Sequence, residues 1–174
     1  MRRIEPTSGK NAASRLFLRF LICYIASIPI ALSLAPFRHA LNDAVGETEL
    51  FFIFLCCFSG LLTVTKPFLI LLTLSKACFD LSLLRRVLLL ARGGAVPLLP
   101  FNAFLCYLLA SVILFLITAS RAALFTFRYT ARDTKLLFSR PFLLYLLEMS
   151  CFLASGMIFY LLWPQILQLI SVKI

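Results

Sequence analysis

The chain has 174 residues, of which 62% are hydrophobic and only 14% are charged, and its mean hydropathy is +1.01. A soluble domain is about 45–50% apolar and about 25% charged, so this composition excludes a soluble globular protein and equally excludes a disordered one. Basic residues outnumber acidic ones by 17 to 7 and stand mostly between apolar runs. That placement indicates contact with membrane lipids and argues against nucleic acid as a partner. The composition predicts an all-α, polytopic transmembrane helical bundle.

The first apolar run follows a basic segment, residues 1–15, and a signal peptide has the same order of a basic and an apolar segment. However, the run has no small-x-small cleavage site at its end, where Pro36, Phe37 and Arg38 stand. We therefore expect an uncleaved first transmembrane helix over about residues 16–35, with the basic segment in the cytoplasm.

The second apolar region, from Leu50 to Leu90, is about twice as long as the roughly 20 residues that one crossing needs. Either one helix followed by a basic loop gives four spans in total, or two short helices turn at Lys66 and Pro67 and give five. The five-span division places helices at about 50–65 and 67–90, and later apolar runs predict spans at about 101–120 and 141–163. Tyr160 and Trp163, near the end of the last span, are expected to be interfacial anchors.

The charge of the connecting segments favours five spans. The N-terminal segment is net basic, the loop 37–49 is net acidic, and the segment 121–140 is net basic. Under the positive-inside rule, five spans place both basic segments in the cytoplasm, whereas four spans place the second one outside. The sequence thus predicts one integral domain, residues 1–174, in the plasma membrane with a cytoplasmic N-terminus.

Several charged residues fall inside the predicted spans, and of these Arg85 and Arg86 lie near a helix end, where their side chains can snorkel to the interface. A charge at the bilayer centre costs roughly 2.5–3.5 kcal/mol on insertion scales, so a buried charge is expected to have a partner. The i,i+4 spacing of Lys76 and Asp80 predicts that these two residues pair. Glu148 lies in the last span and is a candidate proton or ion ligand. The alternative for Glu148 is a structural role beside Lys76 or an arginine, or a wet position near the interface. The same alternatives apply to Asp80, where the nearby lysine favours the structural role.

The sequence contains no recognisable catalytic or cofactor motif. It has no Gly-rich phosphate loop, no HExxH and no GxSxG, and its one histidine, His39, excludes bis-His haem and most His-rich metal sites. The six cysteines form no CxxC pair and lie in or at the ends of apolar runs, which predicts small buried hydrophobes. We therefore expect no catalytic residues, no cofactor, no metal and no enzymatic activity.

The middle of the chain carries a pattern in which a proline opens an apolar helix, a lysine and a small residue follow, and a Pro-x-Asn precedes the next helix. The residues concerned are Pro67, Lys76, Ala77, Pro100 and Asn102. Over about residues 50–128, this pattern resembles the stage II sporulation protein M family of small polytopic membrane proteins, whose five-span layout agrees with the division above. Family members have glycines after the lysine, where this chain has Ala77 and Asp80. Pro100 and Asn102 also fit a simple helix start, with asparagine as the cap.

The resemblance implies a non-catalytic membrane scaffold at the sporulation septum. Such a scaffold would recruit peptidoglycan-degrading enzymes, the stage II sporulation proteins D and P, for septal wall remodelling during engulfment. The acidic outside loop is the expected partner surface, with Asp43, Glu47 and Glu49 as its carboxylates. Two other functions stay open: a small transporter or channel subunit, with Glu148 and either Lys76 or Asp80 in ion coupling, and an immunity or exclusion protein. Loss of transport in Glu148→Gln would favour the transporter.

Overall fold

The computed structural model describes residues 8–33, 44–61, 65–93, 96–129 and 140–171. Five helices account for almost all of these residues, and no strand occurs among them. The helices are α1 (Ser8–Ser33), α2 (Ala44–Ser59), α3 (Thr65–Arg92), α4 (Leu98–Tyr129) and α5 (Arg140–Ser171). The predicted all-α helical bundle is confirmed.

Four helices, α1, α3, α4 and α5, are long and apolar enough to cross a membrane. With a rise of 1.5 Å per residue, α4 and α5 reach about 48 Å each, well beyond the roughly 30 Å of a hydrocarbon core. The chain does divide into two helices before Lys66, as the five-span division expects. However, α2 has 16 residues and reaches only about 24 Å, which is shorter than a full crossing.

The outward surface of the bundle is apolar. Leu109, Leu147 and Leu161 are each more than 60% exposed, and similar side chains lie exposed along all five helices. A helix that is apolar on its outward face as well as its inward face is suited to a membrane, because lipid covers the outward side chains. The chain is therefore a multi-pass membrane protein.

Prolines stand in the first turns of α3 and α4. The first turn of a helix tolerates proline because its N–H groups have no partner within the helix. Pro67 is the third residue of α3, and Pro100 is the third residue of α4, in which the Phe101 N–H donates to the Pro97 carbonyl at 3.2 Å. The expectation that Asn102 caps this helix is wrong, because α4 begins at Leu98 and Asn102 lies exposed beyond its first turn.

Helix α4 is the centre of the bundle and packs against all four other helices. The others form an arc around it in the order α1, α3, α2, α5, since α3 packs against both α1 and α2, and α2 also packs against α5. Among the described residues, α3 and α5 do not pack against each other. The short α2 thus lies between α3 and α5 and over α4.

Successive helices run in opposite directions, as contacts at one end of the bundle show. There the Thr65 hydroxyl donates to Thr126 at 2.9 Å, and the Thr126 hydroxyl lies 3.0 Å from the Gly60 carbonyl. The Tyr145 hydroxyl donates to the Cys57 carbonyl at 2.7 Å. This is the end where α3 and α5 begin and where α2 and α4 finish. We call it the basic end, because seven cations of the described helices stand at positions towards it: Lys10, Arg15, Arg19, Lys66, Arg121, Arg128 and Arg140.

At the opposite end, the beginning of α2 packs closely against the last turns of α5. A Cβ added at Gly46 would lie 3.2 Å from the Trp163 Cβ and 3.3 Å from the Tyr160 ring. Trp163 is fully buried, and its ring centroid lies 5.5 Å from that of Tyr107 on α4. The expectation that Trp163 is an interfacial anchor is wrong, because its indole fills the space between three helices.

Candidate functional site: a buried charged centre

Three charged side chains meet inside the bundle. Glu49 of α2 and Lys76 of α3 are completely buried, and Asp80 of α3 is 2% exposed. The Lys76 ammonium donates to Glu49 Oε1 at 2.9 Å and also donates to Asp80. We call these three residues the charged centre. Lys76 lies near the middle of α3, so the charged centre is close to the midplane of the bundle.

Helical periodicity brings the three charges together. Lys76 and Asp80 are one turn apart and therefore share one face of α3. On α2, one helical face is buried, and its residues are spaced by four, three and four positions. These residues are Val45, Glu49, Phe52 and Cys56. The carboxylate of Glu49 thus enters the bundle on an otherwise apolar stripe.

Two hydroxyl groups donate hydrogen bonds to the carboxylates of the charged centre. Tyr24 of α1 donates to Asp80 Oδ2 at 2.7 Å, and Ser111 of α4 donates to Glu49 Oε2 at 2.5 Å. Each carboxylate is therefore bound by the lysine through one oxygen and by a hydroxyl through the other. Four helices, α1 to α4, are joined by these side chains. Such contacts matter inside a membrane because no water is present to satisfy buried polar groups.

Aromatic rings surround the ammonium group. Lys76 Nζ lies 5.9 Å from the centroids of both Phe52 and Phe79, at the outer limit for a cation–π contact. Phe52 also meets Phe115 edge to face, with centroids 6.3 Å apart. These rings exclude water from the charged centre and so strengthen the electrostatic interactions inside it.

The charged centre contains two carboxyl groups but only one ammonium group. When both carboxylates are ionised, Glu49 and Asp80 carry two negative charges against the single positive charge of Lys76. A further polar group lies one helical turn from Ser111 on α4: the hydroxyl of Tyr107, which is buried and has no hydrogen-bond partner among the described residues. Buried hydroxyls are nearly always paired, so this group marks a position where an additional polar ligand could bind.

The structure confirms one predicted contact and corrects another expectation. Lys76 and Asp80 form the ion pair that their spacing predicts. Glu49, expected on an exposed partner surface, is completely buried, because α2 begins at Ala44 and turns this side chain towards α3. Glu47 is exposed in the first turn of α2, and Asp43 lies outside the described residues.

Glu148 lies apart from the charged centre. Its carboxylate is 48% exposed and lies 3.7 Å from Arg121 of α4, so its partner is an arginine and not Lys76. Arg121 is eight residues from the end of α4, and Glu148 is eight residues from the start of α5. Each of these helices is about 18 Å longer than the hydrocarbon core, so in a helix centred on the membrane a position about 12 Å from the helix end is close to the interface.

The remaining predicted residues lie in structural positions. Pro67 is exposed, whereas Ala77, beside the motif lysine, is completely buried. Cys56 and Cys57 are buried as expected, but Cys106 and Cys151 are exposed on the apolar surface. Among the described residues, no group of three or more His, Cys, Asp or Glu side chains could hold a metal ion. His39 lies outside the described residues.

Sequence reasoning missed Glu49 as a member of the charged centre, and it missed Tyr24 and Ser111 as hydrogen-bond donors to it. The spacing of Glu49 from Val45, Phe52 and Cys56 is a signal that could have identified it. That signal was hidden because the predicted helix began at residue 50, which leaves Glu49 in the loop. A hydroxyl-bearing residue in an apolar helix has no comparable signal, since Ser and Thr are common in membrane spans.

The chain was also compared with known proteins. No protein-family model, no curated protein and no solved structure matches it significantly.

Proposed function

We propose that the chain is a non-enzymatic subunit of a membrane transporter or channel, in which the charged centre binds and releases one proton or monovalent cation. The observation that carries this proposal is the pair of buried carboxylates that share a single ammonium. An uncompensated charge in the middle of a membrane costs several kcal/mol, so uptake of one positive charge stabilises the charged centre. Ionisable residues at this depth typically mark the path of an ion or a proton.

The charge distribution supports an orientation for this subunit. By position along the described helices, seven cations and one carboxylate, Glu148, lie towards the basic end, for a net charge of +6. Arg85, Arg86 and Arg92 lie towards the opposite end with Glu47, for a net charge of +2. The positive-inside rule then favours the basic end, and with it the N-terminus, on the cytoplasmic side of the plasma membrane.

Ion flux through purified protein tests the proposal. The full chain is reconstituted into liposomes that contain a pH-sensitive dye, and a potassium diffusion potential is imposed. We expect proton flux above that of empty liposomes, or sodium flux if the bound charge is an alkali cation. Parallel measurements with and without external sodium distinguish the two.

Three carboxylate variants make the test specific. Glu49→Gln and Asp80→Asn each leave one carboxylate to balance Lys76, so we expect both to fold and to lose flux. Glu148→Gln is the matched control, because it removes a membrane carboxylate outside the charged centre, and we expect it to retain flux. Absence of flux in the wild type, or equal flux in all three variants, would contradict the proposal.

A membrane scaffold of the stage II sporulation protein M type is the second candidate. It is favoured by the five-helix layout, by the central place of Lys76 in the bundle and by the exposed carboxylate of Glu47. A scaffold depends on an intact fold and a partner surface, whereas a transporter depends on the charged centre. In an endospore-forming host whose own copy is deleted, a scaffold predicts that Glu49→Gln restores engulfment, and the transporter predicts that it does not.

A further inference from the structure

A groove lies at the basic end, between the first half of α1, the start of α3 and the last turns of α4. Its volume is about 560 Å³. Three cations line it: Arg15 and Arg19 of α1, and Lys66 of α3. No Asp or Glu lies among its described lining residues, which together carry a net charge of +3.

The two arginines stand four residues apart on α1. Like charges at this spacing repel each other and destabilise a helix by a few tenths of a kcal/mol. Their position beside Lys66 concentrates three positive charges around one concave surface. An anion bound between them would relieve the repulsion and would accept hydrogen bonds from the two guanidinium groups, whose planar geometry suits phosphate.

The walls of the groove are apolar and continue onto the outer surface of the bundle. Phe20 is buried behind the groove, while Ile22 and Ile70 are each more than 50% exposed beside it. An apolar surface exposed on a membrane-spanning helix is covered by acyl chains. The cations therefore stand at the end of a surface that lipid chains already occupy.

We infer that this groove binds an anionic phospholipid, with the phosphate headgroup held by Arg15, Arg19 and Lys66 and an acyl chain along Ile22 and Ile70. Charge complementarity identifies the headgroup class, and the continuous apolar wall distinguishes a phospholipid from free phosphate. Basic pockets between membrane helices are a recurrent site for acidic headgroups. This inference does not depend on the function proposed for the charged centre.

Native mass spectrometry of the full chain, released from mixed micelles of phosphatidylglycerol and phosphatidylcholine, tests the inference. We expect one phosphatidylglycerol molecule to be retained in preference to phosphatidylcholine. Each cation near an anionic headgroup contributes about fivefold in affinity, so the triple variant Arg15→Gln/Arg19→Gln/Lys66→Gln should lose roughly 100-fold. The single variant Arg19→Gln should lose about fivefold.

The matched control removes three cations at the opposite end of α3, in the variant Arg85→Gln/Arg86→Gln/Arg92→Gln. It lowers the net charge by the same amount, and we expect its phosphatidylglycerol affinity to stay at the wild-type value. Equal losses in the two triple variants would overturn the inference, because general charge attraction would then explain binding. Displacement of phosphatidylglycerol by inorganic phosphate alone would also overturn it, since the acyl chain would then contribute nothing.

Discussion

The charged centre makes a specific prediction about non-additivity. Glu49→Gln leaves the Lys76–Asp80 pair, and Asp80→Asn leaves the Lys76–Glu49 pair, so each single variant has a balanced charge. The double variant leaves the Lys76 ammonium buried without any carboxylate. We expect the double variant to be far less stable than the two single effects together suggest.

The size of the effect follows from the geometry. At 2.9 Å, the attraction between Lys76 Nζ and Glu49 Oε1 is about 6 kcal/mol for an effective dielectric constant of roughly 20. Measured costs of leaving a buried charge without its partner are about 3–5 kcal/mol, because desolvation offsets part of the attraction. Each single variant keeps an amide oxygen as a hydrogen-bond acceptor. We therefore expect each one to lower the free energy of unfolding by no more than about 1 kcal/mol. The double variant should lose about 3 kcal/mol beyond the sum of the singles.

Unfolding by sodium dodecyl sulfate in mixed micelles measures these differences. Trp163 is the one tryptophan of the chain and is completely buried, so its fluorescence reports loss of packing between α2, α4 and α5. Glu148→Gln, combined with either single variant, is the control and should be additive, since its side chain is half exposed and remote. An additive double variant of Glu49 and Asp80 would refute the reasoning, because it would mean that the ammonium does not depend on these carboxylates.

Three further substitutions test the packing and the hydrogen bonds by the same unfolding assay. Gly60→Ala should lower the free energy of unfolding by about 1–3 kcal/mol, because its Cβ would overlap the Tyr145 hydroxyl, and a shift of this side chain would disturb its stacking on Phe125 and its hydrogen bond to the Cys57 carbonyl. Gly93→Ala is its control and should cost little, since its Cβ would come no closer than 3.6 Å to its neighbours. Ser111→Ala should cost about 1.5–3 kcal/mol by removing a donor to a buried carboxylate. Equal stability of the two alanine variants at glycine, or an unchanged midpoint for Ser111→Ala, would contradict these assignments.

The sequence determined the helical membrane architecture and most helix positions. Apolar runs far above soluble composition predict spans, and the division of the second apolar region into two helices is confirmed. The predicted turn at Lys66 and Pro67 is misplaced, because α2 ends at Ser59 and both residues lie in the first turn of α3. The helix ends were predicted less well, because hydropathy falls at the first polar residues while the helices continue beyond the hydrocarbon core. The start of α4 differs for another reason: the first turn of a helix tolerates a proline, so α4 begins at Leu98 and includes Pro100, and Asn102 is not a cap.

Part of the charged centre could also be predicted from the sequence, because the Lys76–Asp80 pair depends only on spacing within one helix. Glu49 is different. Its position on the chain, next to an acidic loop, indicates exposure, and only the packing of α2 between α3 and α5 turns its carboxylate onto Lys76. Glu148 shows the converse, since its place within an apolar run indicates burial, yet the arrangement of α4 and α5 leaves it half exposed beside Arg121.

Composition and periodicity are properties of single segments, so the sequence by itself determined that this protein is a membrane-embedded helical bundle with a charged pair inside α3. The balance of charge within the bundle depends on which helices are neighbours and on how each is rotated. Only the tertiary structure brings Glu49 from α2, Tyr24 from α1 and Ser111 from α4 to the same lysine. The physical reason is that a buried carboxylate is stable only beside donors, and these donors are provided by helices distant in sequence.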